Sequence, residues 1–217
     1  MMLKLDFIKY FNPLSSQLSW HRNLKKRILQ STKGFFVSIS ILLIVGFLIP
    51  QQFAIPVENA VRGNWDEETF WYYPWGQSIV HKGVDIFAAE GTNVLSATEG
   101  VIVSVDKTGN GGNIIYILGP KWRLHYYAHL QSIEKQLFTF VSKGDVIGKV
   151  GNTGNAINTP PHLHYSLQTL IPYPWRWDND VLGWKKMFYL NPTDYMDEAW
   201  HFQKQEERKA VFMALEK

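Results

Sequence analysis

The chain of 217 residues contains no cysteine. That absence excludes a thiol nucleophile, a thiolate metal site, a disulfide framework and a lipid attached through a lipoprotein cysteine. Any metal must be held by His, Asp or Glu. Charge is also scarce, at 19% of residues against 46% hydrophobic, which excludes a disordered body and allows one sizeable core with appendages. A basic folded surface of the kind nucleic acid requires is missing as well. Residues 1–33 hold seven basic residues (Lys4, Lys9, Arg22, Lys25, Lys26, Arg27 and Lys33) against Asp6 alone, so this arm carries +6 and the remainder −3. The arm runs straight into an apolar segment, a position that points to a membrane and away from nucleic acid.

That apolar segment is itself short. The charge-free run FFVSISILLIVGFLI covers residues 35–49 and is closed by Pro50. As a helix its fifteen residues reach about 22 Å, less than a hydrocarbon core of roughly 30 Å. The favoured reading is an uncleaved transmembrane anchor over residues 34–55, lengthened by snorkelling of Lys33 and by continuation through Phe53, Ala54 and Ile55. A cleaved signal peptide is the main rival, although neither Gln52-Phe53-Ala54 nor Glu58-Asn59-Ala60 suits a cleavage site. A buried core helix is the third reading. Under the positive-inside rule the arm stays cytoplasmic, and the rest lies outside the cytoplasmic membrane, periplasmic or extracellular. Cleavage would make the product secreted instead.

Residues 56–75 read as a linker with an aromatic approach, punctuated by Pro56, Gly63 and Pro74. Short Val/Ile/Tyr-rich runs then alternate with Gly, Asn and Asp: residues 100–105, 113–118, 124–127, 145–150 and 163–170. This pattern predicts an all-β domain, antiparallel in its pairing. The Gly-rich segments 108–112 and 151–155 lack the Lys-Ser/Thr ending of a phosphate loop and open no amphipathic helix, so they read as hairpin turns. Residues 193–217, without Gly or Pro, predict a C-terminal helix capped by Thr193 or Asp194, with 197–217 standing beyond the domain. Its charged run 204–209 reads as a solvated face.

Seven histidines occur. In His162-Leu163-His164 a strand would place both imidazoles on one face. In His81-Lys82-Gly83-Val84-Asp85 an extended chain would hold the two ligand-type residues about 13 Å apart, so convergence needs a bend, assigned to Gly83. His81, Asp85 and one histidine of the pair would give three ligands and leave a fourth position open, as a hydrolytic zinc site requires. His129, in Tyr127-Ala128-His129-Leu130, is unremarkable alone.

The three elements in this order, HKGVD at 81–85, YAHL at 127–130 and PHLH at 161–164, resemble the signature of the lysostaphin/LytM-type zinc peptidases. Gly91-Thr92, Gly100-Val101-Ile102, Lys143-Gly144-Asp145, Gly151-Asn152-Thr153-Gly154 and Asn191-Pro192 extend the likeness over 76–196. The resemblance implies a β-sheet or sandwich domain of the LytM-like, barwin-like duplicated hybrid type. It implies one zinc ion per chain, held by His81, Asp85 and His164. His162 is then the candidate general base and His129 the stabilising partner, two roles that are interchangeable at this level. His125 shares a strand face with residues 127 and 129 if the strand is regular, and is read as structural or supporting.

Some positions depart from the family pattern. Tyr165 and Ser166 stand where Phe and Glu are common, Pro160 replaces a Gly, the approach at 75–80 is unlike the family's, and 171–189 is a Trp-rich insertion. That insertion reads either as a rim gripping sugar or peptide, or as packing against the aromatic stretch 65–75. The expected function is a membrane-anchored zinc metalloendopeptidase acting on peptidoglycan peptides, cross-links or stems, with a protein activator left open. The rivals are an inactive wall-binding activator of another hydrolase and a peptidase acting on a secreted protein. The presence of all five key residues favours the enzyme.

Overall fold

The computed structural model describes residues 13–107 and 109–215. The basic arm expected over 1–33 lies outside the described residues up to residue 12, as do Thr108 of the first Gly-rich turn and residues 216–217. The chain divides into two units, residues 1–45 and 46–217. In the first unit the described residues are helical, part of α1 (Pro13–Leu48). Its apolar side chains, Phe35, Phe36, Ile41, Leu42 and Ile44 among them, are exposed. Among the described residues, one helical segment, Leu24–Leu48, is apolar and long enough to cross a membrane.

The helix gains its length upstream of Phe35, not downstream as expected. α1 stops at Leu48 before Pro50, and residues 51–55 are part of the second unit. The Ala54 N–H donates to Ala97 O at 2.8 Å, Phe53 packs on the core and Ile55 lies in it. The stretch expected as a linker is likewise part of the fold. Val57 bridges to Val94, and buried Trp65 donates its indole N–H to Asp197 Oδ1 at 3.2 Å. Apolar side chains at 53, 55, 57 and 65 recover more free energy inside a core than in a solvated linker.

Among the described residues ten strands follow: β1 (Val84–Phe87), β2 (Asn93–Leu95), β3 (Gly100–Asp106), β4 (Asn113–Gly119), β5 (Arg123–Leu130), β6 (Ser132–Ile133), β7 (Phe140–Val141), β8 (Val146–Lys149), β9 (His162–Thr169) and β10 (Tyr189–Leu190), before the helix α2 (Pro192–Leu215). The larger sheet runs β1-β9-β5-β4-β3-β7, with β10 also on β9, and the smaller runs β2-β8-β6. All pairings are antiparallel. Alternation sorts the faces as expected of half-buried strands. Val84, Ile86, Tyr127, Leu163, Tyr165 and Leu167 are all essentially buried, while Asp85, Ala128, His162 and His164 point to the other face.

Two expectations need correction. The segment 151–155 is no hairpin turn: it connects β8 to β9, strands of different sheets, whereas residues 109–112 lie between β3 and β4, which pair antiparallel with each other. The cap of α2 is Asn191, whose Oδ1 accepts from the Thr193 N–H at 3.2 Å. Pro192 takes the first helical position because its missing N–H costs nothing there. The insertion 171–189 folds back on the aromatic approach, as one reading held. The Trp71 indole N–H donates to Val181 O at 3.0 Å, and its ring meets Tyr189 at 5.7 Å.

His125 is fully buried on the core face of β5, with Nδ1 2.6 Å from the Tyr165 hydroxyl and Nε2 2.9 Å from Gln51 Nε2. Burial, reinforced by the Arg123 charge, lowers its pKa to about 3. The unfolded chain therefore binds a proton that the folded chain refuses. The stability this gives is complete above the ordinary histidine value and is lost as pH falls from about 6.5 towards 3. In chelator-treated full-length protein, His125→Gln should flatten the fall of unfolding free energy between pH 6.5 and 4 by about 1.4 kcal/mol per pH unit. An unchanged slope would remove His125 as the origin.

Candidate active site

The register of β1 on β9 sets Asp85 directly opposite His164, and that of β5 on β9 sets Ala128 beside the same histidine. Alanine is the side chain small enough to leave room above the pair. His81 lies three residues before β1 and reaches the same point because the chain at Gly83 presses against β9. A Cβ at Gly83 would meet Tyr165 O at 2.4 Å and the His164 ring at 3.0 Å. Glycine permits this close approach of backbones at the bend assigned to Gly83 from sequence.

Three donor atoms converge. His81 Nε2 lies 3.1 Å from Asp85 Oδ1 and 3.1 Å from His164 Nδ1, and His164 Nδ1 lies 2.8 Å from Asp85 Oδ1. Atoms that offer lone pairs to one point repel unless a cation, a metal ion or a shared proton, stands between them. Donors about 2.0–2.1 Å from a tetrahedral zinc ion stand about 3.3 Å apart, close to the spacing found. The surroundings prepare the same chemistry. His81 Nδ1–H donates to Thr69 O at 3.0 Å, which fixes the tautomer and turns the Nε2 lone pair inward. Burial acts to raise Asp85, but hydrogen bonds with His164 and His81 outweigh it and hold the carboxyl well below the usual carboxylate range. Burial also lowers His164, against the pull of Asp85. Asp85 is thus held as a carboxylate and His164 is pushed towards its neutral form, which suits a divalent cation.

His162 and His129 flank this group. His162 Nδ1–H donates to Pro160 O at 2.8 Å, and its Nε2 faces Asp85 Oδ1 at 4.0 Å. The rings of His129 and His162 meet edge to face at 5.1 Å. His129 does not share the face of His125, because β5 is irregular at this end: the register on β4 shifts between Asn113 and Ile115, and His129 has φ 63°. A bulge of this kind re-aims a side chain. His129 thus joins Ala128 on the site face, and Leu130 returns to the core. His125 stays in the core, away from the group.

Sequence reasoning missed what holds His129. The two Gly-rich segments interlock, since a Cβ on Gly112 would meet Thr153 Oγ1 at 2.3 Å and one on Gly154 would meet Asn110 O at 2.4 Å. Their backbones grip the histidine. Its N–H donates to Gly111 O at 2.8 Å, and its Nδ1–H donates to Thr153 O at 2.8 Å. Burial, helped by repulsion from His164, lowers His129 to about 4, so at neutral pH it presents an Nε2 lone pair. Trp75 was missed too. It stacks on His81 at 4.1 Å and 19°, held by the tight loop in which the Trp75 N–H donates to Ile79 O at 2.8 Å. Beyond the histidines the cleft is walled by Trp75, Lys82, Tyr116, Tyr126 and Tyr189.

Residues 79–173 match the sequence model of peptidase family M23. The domain belongs to that family. Over 124 residues the chain is 34% identical to an L-Ala--D-Glu endopeptidase of Bacillus subtilis, covering 53% of this chain and 37% of the relative. Over 90 residues it is 36% identical to the peptidoglycan DD-endopeptidase ShyC of Vibrio cholerae, covering 42% of this chain and 20% of the relative. The solved catalytic domain of lysostaphin from Staphylococcus simulans aligns at 26% identity and a TM-score of 0.48, covering 58% of this chain and 87% of that one. The chain thus spans well under half the length of these two curated relatives.

Within the M23 domain the close contact at Gly83 is open to test. Gly83→Ala should cost about 1–3 kcal/mol in urea unfolding, as overpacking of a closed contact does. Unfolding unchanged from wild type would show that β1 can move off β9 freely.

Proposed function

We propose that this chain is a zinc metalloendopeptidase that hydrolyses peptide bonds in peptidoglycan, anchored by α1 with its M23 domain on the outer side of the cytoplasmic membrane. The convergence of His81 Nε2, Asp85 Oδ1 and His164 Nδ1 within 3.1 Å of one another, with two further imidazoles beside them, carries this reading. Peptidoglycan as substrate is supported by the endopeptidase relatives of Bacillus subtilis and Vibrio cholerae, and the anchor by the exposed apolar helix.

His81, Asp85 and His164 would hold the ion. When bound, zinc lowers the pKa of a coordinated water and polarises the scissile carbonyl. His162, with its Nδ1 proton committed to Pro160 O, can take a proton only at Nε2, which faces the Asp85 carboxylate at 4.0 Å. That makes His162 the base, which returns the proton to the departing amine. His129, neutral and fixed by Thr153 O, accepts a hydrogen bond on the opposite side and orients the attacking water. Trp75 excludes solvent from one face of His81 and limits its rotation.

Metal content and release of peptide ends from purified peptidoglycan separate the roles. His164→Ala should lose both metal and activity, whereas His162→Ala should keep most of its metal and lose activity by about a hundredfold or more. Wild-type protein that takes up no zinc, or equal activity in all three proteins, overturns the enzymatic reading.

A further inference from the structure

We propose that a cationic pocket around Arg123, separate from the peptidase cleft, binds the phosphate of an anionic lipid headgroup. The inference rests on the reading of α1 as a membrane span. Arg123 opens β5 at the end opposite Ala128 and His129, pairing with Thr169. It is only 8% exposed, yet among the described residues it has no carboxylate partner. Its Nη1 donates to Gln51 Oε1 at 2.6 Å, its guanidinium lies 4.9 Å over the Tyr195 ring, and its Nε is buried with no hydrogen-bond partner. A buried cation with an idle donor is costly unless an anion completes it.

The cavity that Arg123 lines, about 690 Å³, also takes Gln52, Lys121 and Lys143 into its wall, with Glu198 as the one carboxylate among its lining residues. Lys143 Nζ donates to Gln52 Oε1 at 2.9 Å. The two glutamines thus hold two cations at one mouth. A planar guanidinium fork with ammonium groups beside it is the donor set that phosphate selects.

Position identifies the source of the phosphate. Gln51 and Gln52 follow Pro50, immediately past the point where α1 ends at Leu48. A span that leaves the hydrocarbon at Leu48 delivers these residues into the headgroup layer, where basic side chains select anionic lipids. Such a contact would fix the orientation of the M23 domain at the membrane surface, because it adds a second attachment point to the covalent one.

Native mass spectrometry of the full chain in detergent tests this, with phosphatidylglycerol, phosphatidylcholine and inorganic phosphate as probes. Wild type should retain phosphatidylglycerol over phosphatidylcholine by at least about fivefold. The double variant Lys121→Gln/Lys143→Gln should lose that preference while cleaving soluble peptidoglycan fragments as wild type does. Because Arg123 is buried and its replacement endangers the fold, the double variant decides. Equal retention of the two lipids by wild type, or a preference that survives in the double variant, overturns the proposal. So does stabilisation by inorganic phosphate without any lipid preference, which would make the pocket a free-anion site. Extraction of the protein from membranes by alkaline carbonate would instead count against the span, and this distinguishes failure of the anchor from failure of the pocket.

Discussion

Asp85 and His164 face each other across an antiparallel pair, and the site depends on that register. Side chains alternate with period two, so a slip of one residue between β1 and β9 would set Asp85 against Leu163 or Tyr165 and break up the donor group. The core prevents the slip, because Val84 and Ile86 on β1 and Leu163, Tyr165 and Leu167 on β9 are buried together on the opposite face. Hydrophobic burial behind the sheet thus places the polar groups in front of it. Gly83 then closes the remaining distance, bringing His81 to the pair without a helix.

The second imidazole pair is positioned by different means. His162 needs only strand alternation, two residues before His164. His129 needs a bulge at the end of β5, a positive φ, and two interlocked glycine-rich segments whose carbonyls fix its backbone and ring. Thr153 connects these parts: its carbonyl takes the ring proton, and its hydroxyl accepts from the Asn113 N–H at 2.9 Å and donates to Leu130 O at 2.9 Å.

Much of this was legible in the sequence because the relevant signals are local. Strands at 100–106, 113–119 and 162–169 lie within a residue of the alternating runs read at 100–105, 113–118 and 163–170, and the five proposed site residues were picked out by three motifs in the order of the family signature. What was not legible depends on contacts between distant segments. A positive φ at a histidine has no sequence mark, so His129 was placed on the face of His125. Trp75 and Thr153 act through partners six or more positions away, and nothing in their neighbours announces this. Residues 51–57 lack strand alternation and read as the end of an anchor and the start of a linker, although Phe53, Ile55 and Val57 pack into the core and Gln51 reaches Arg123. Arg123 itself read as one basic residue among many, since burial without an acidic partner is a property of the fold.

Electrostatics ties the two ends of β5 together in a single account. Near one end three lone-pair donors converge, and at the other Arg123 is buried with no carboxylate partner among the described residues. The central claim is the first of these, that His81, Asp85 and His164 are the ligands while His129 and His162 are not. Zinc K-edge X-ray absorption on the purified full chain tests it most directly. The account predicts two imidazoles, one carboxylate oxygen and one further light-atom ligand, with a spectrum unchanged in His129→Ala and His162→Ala. A third imidazole in the wild type, or loss of one in either variant, would contradict it.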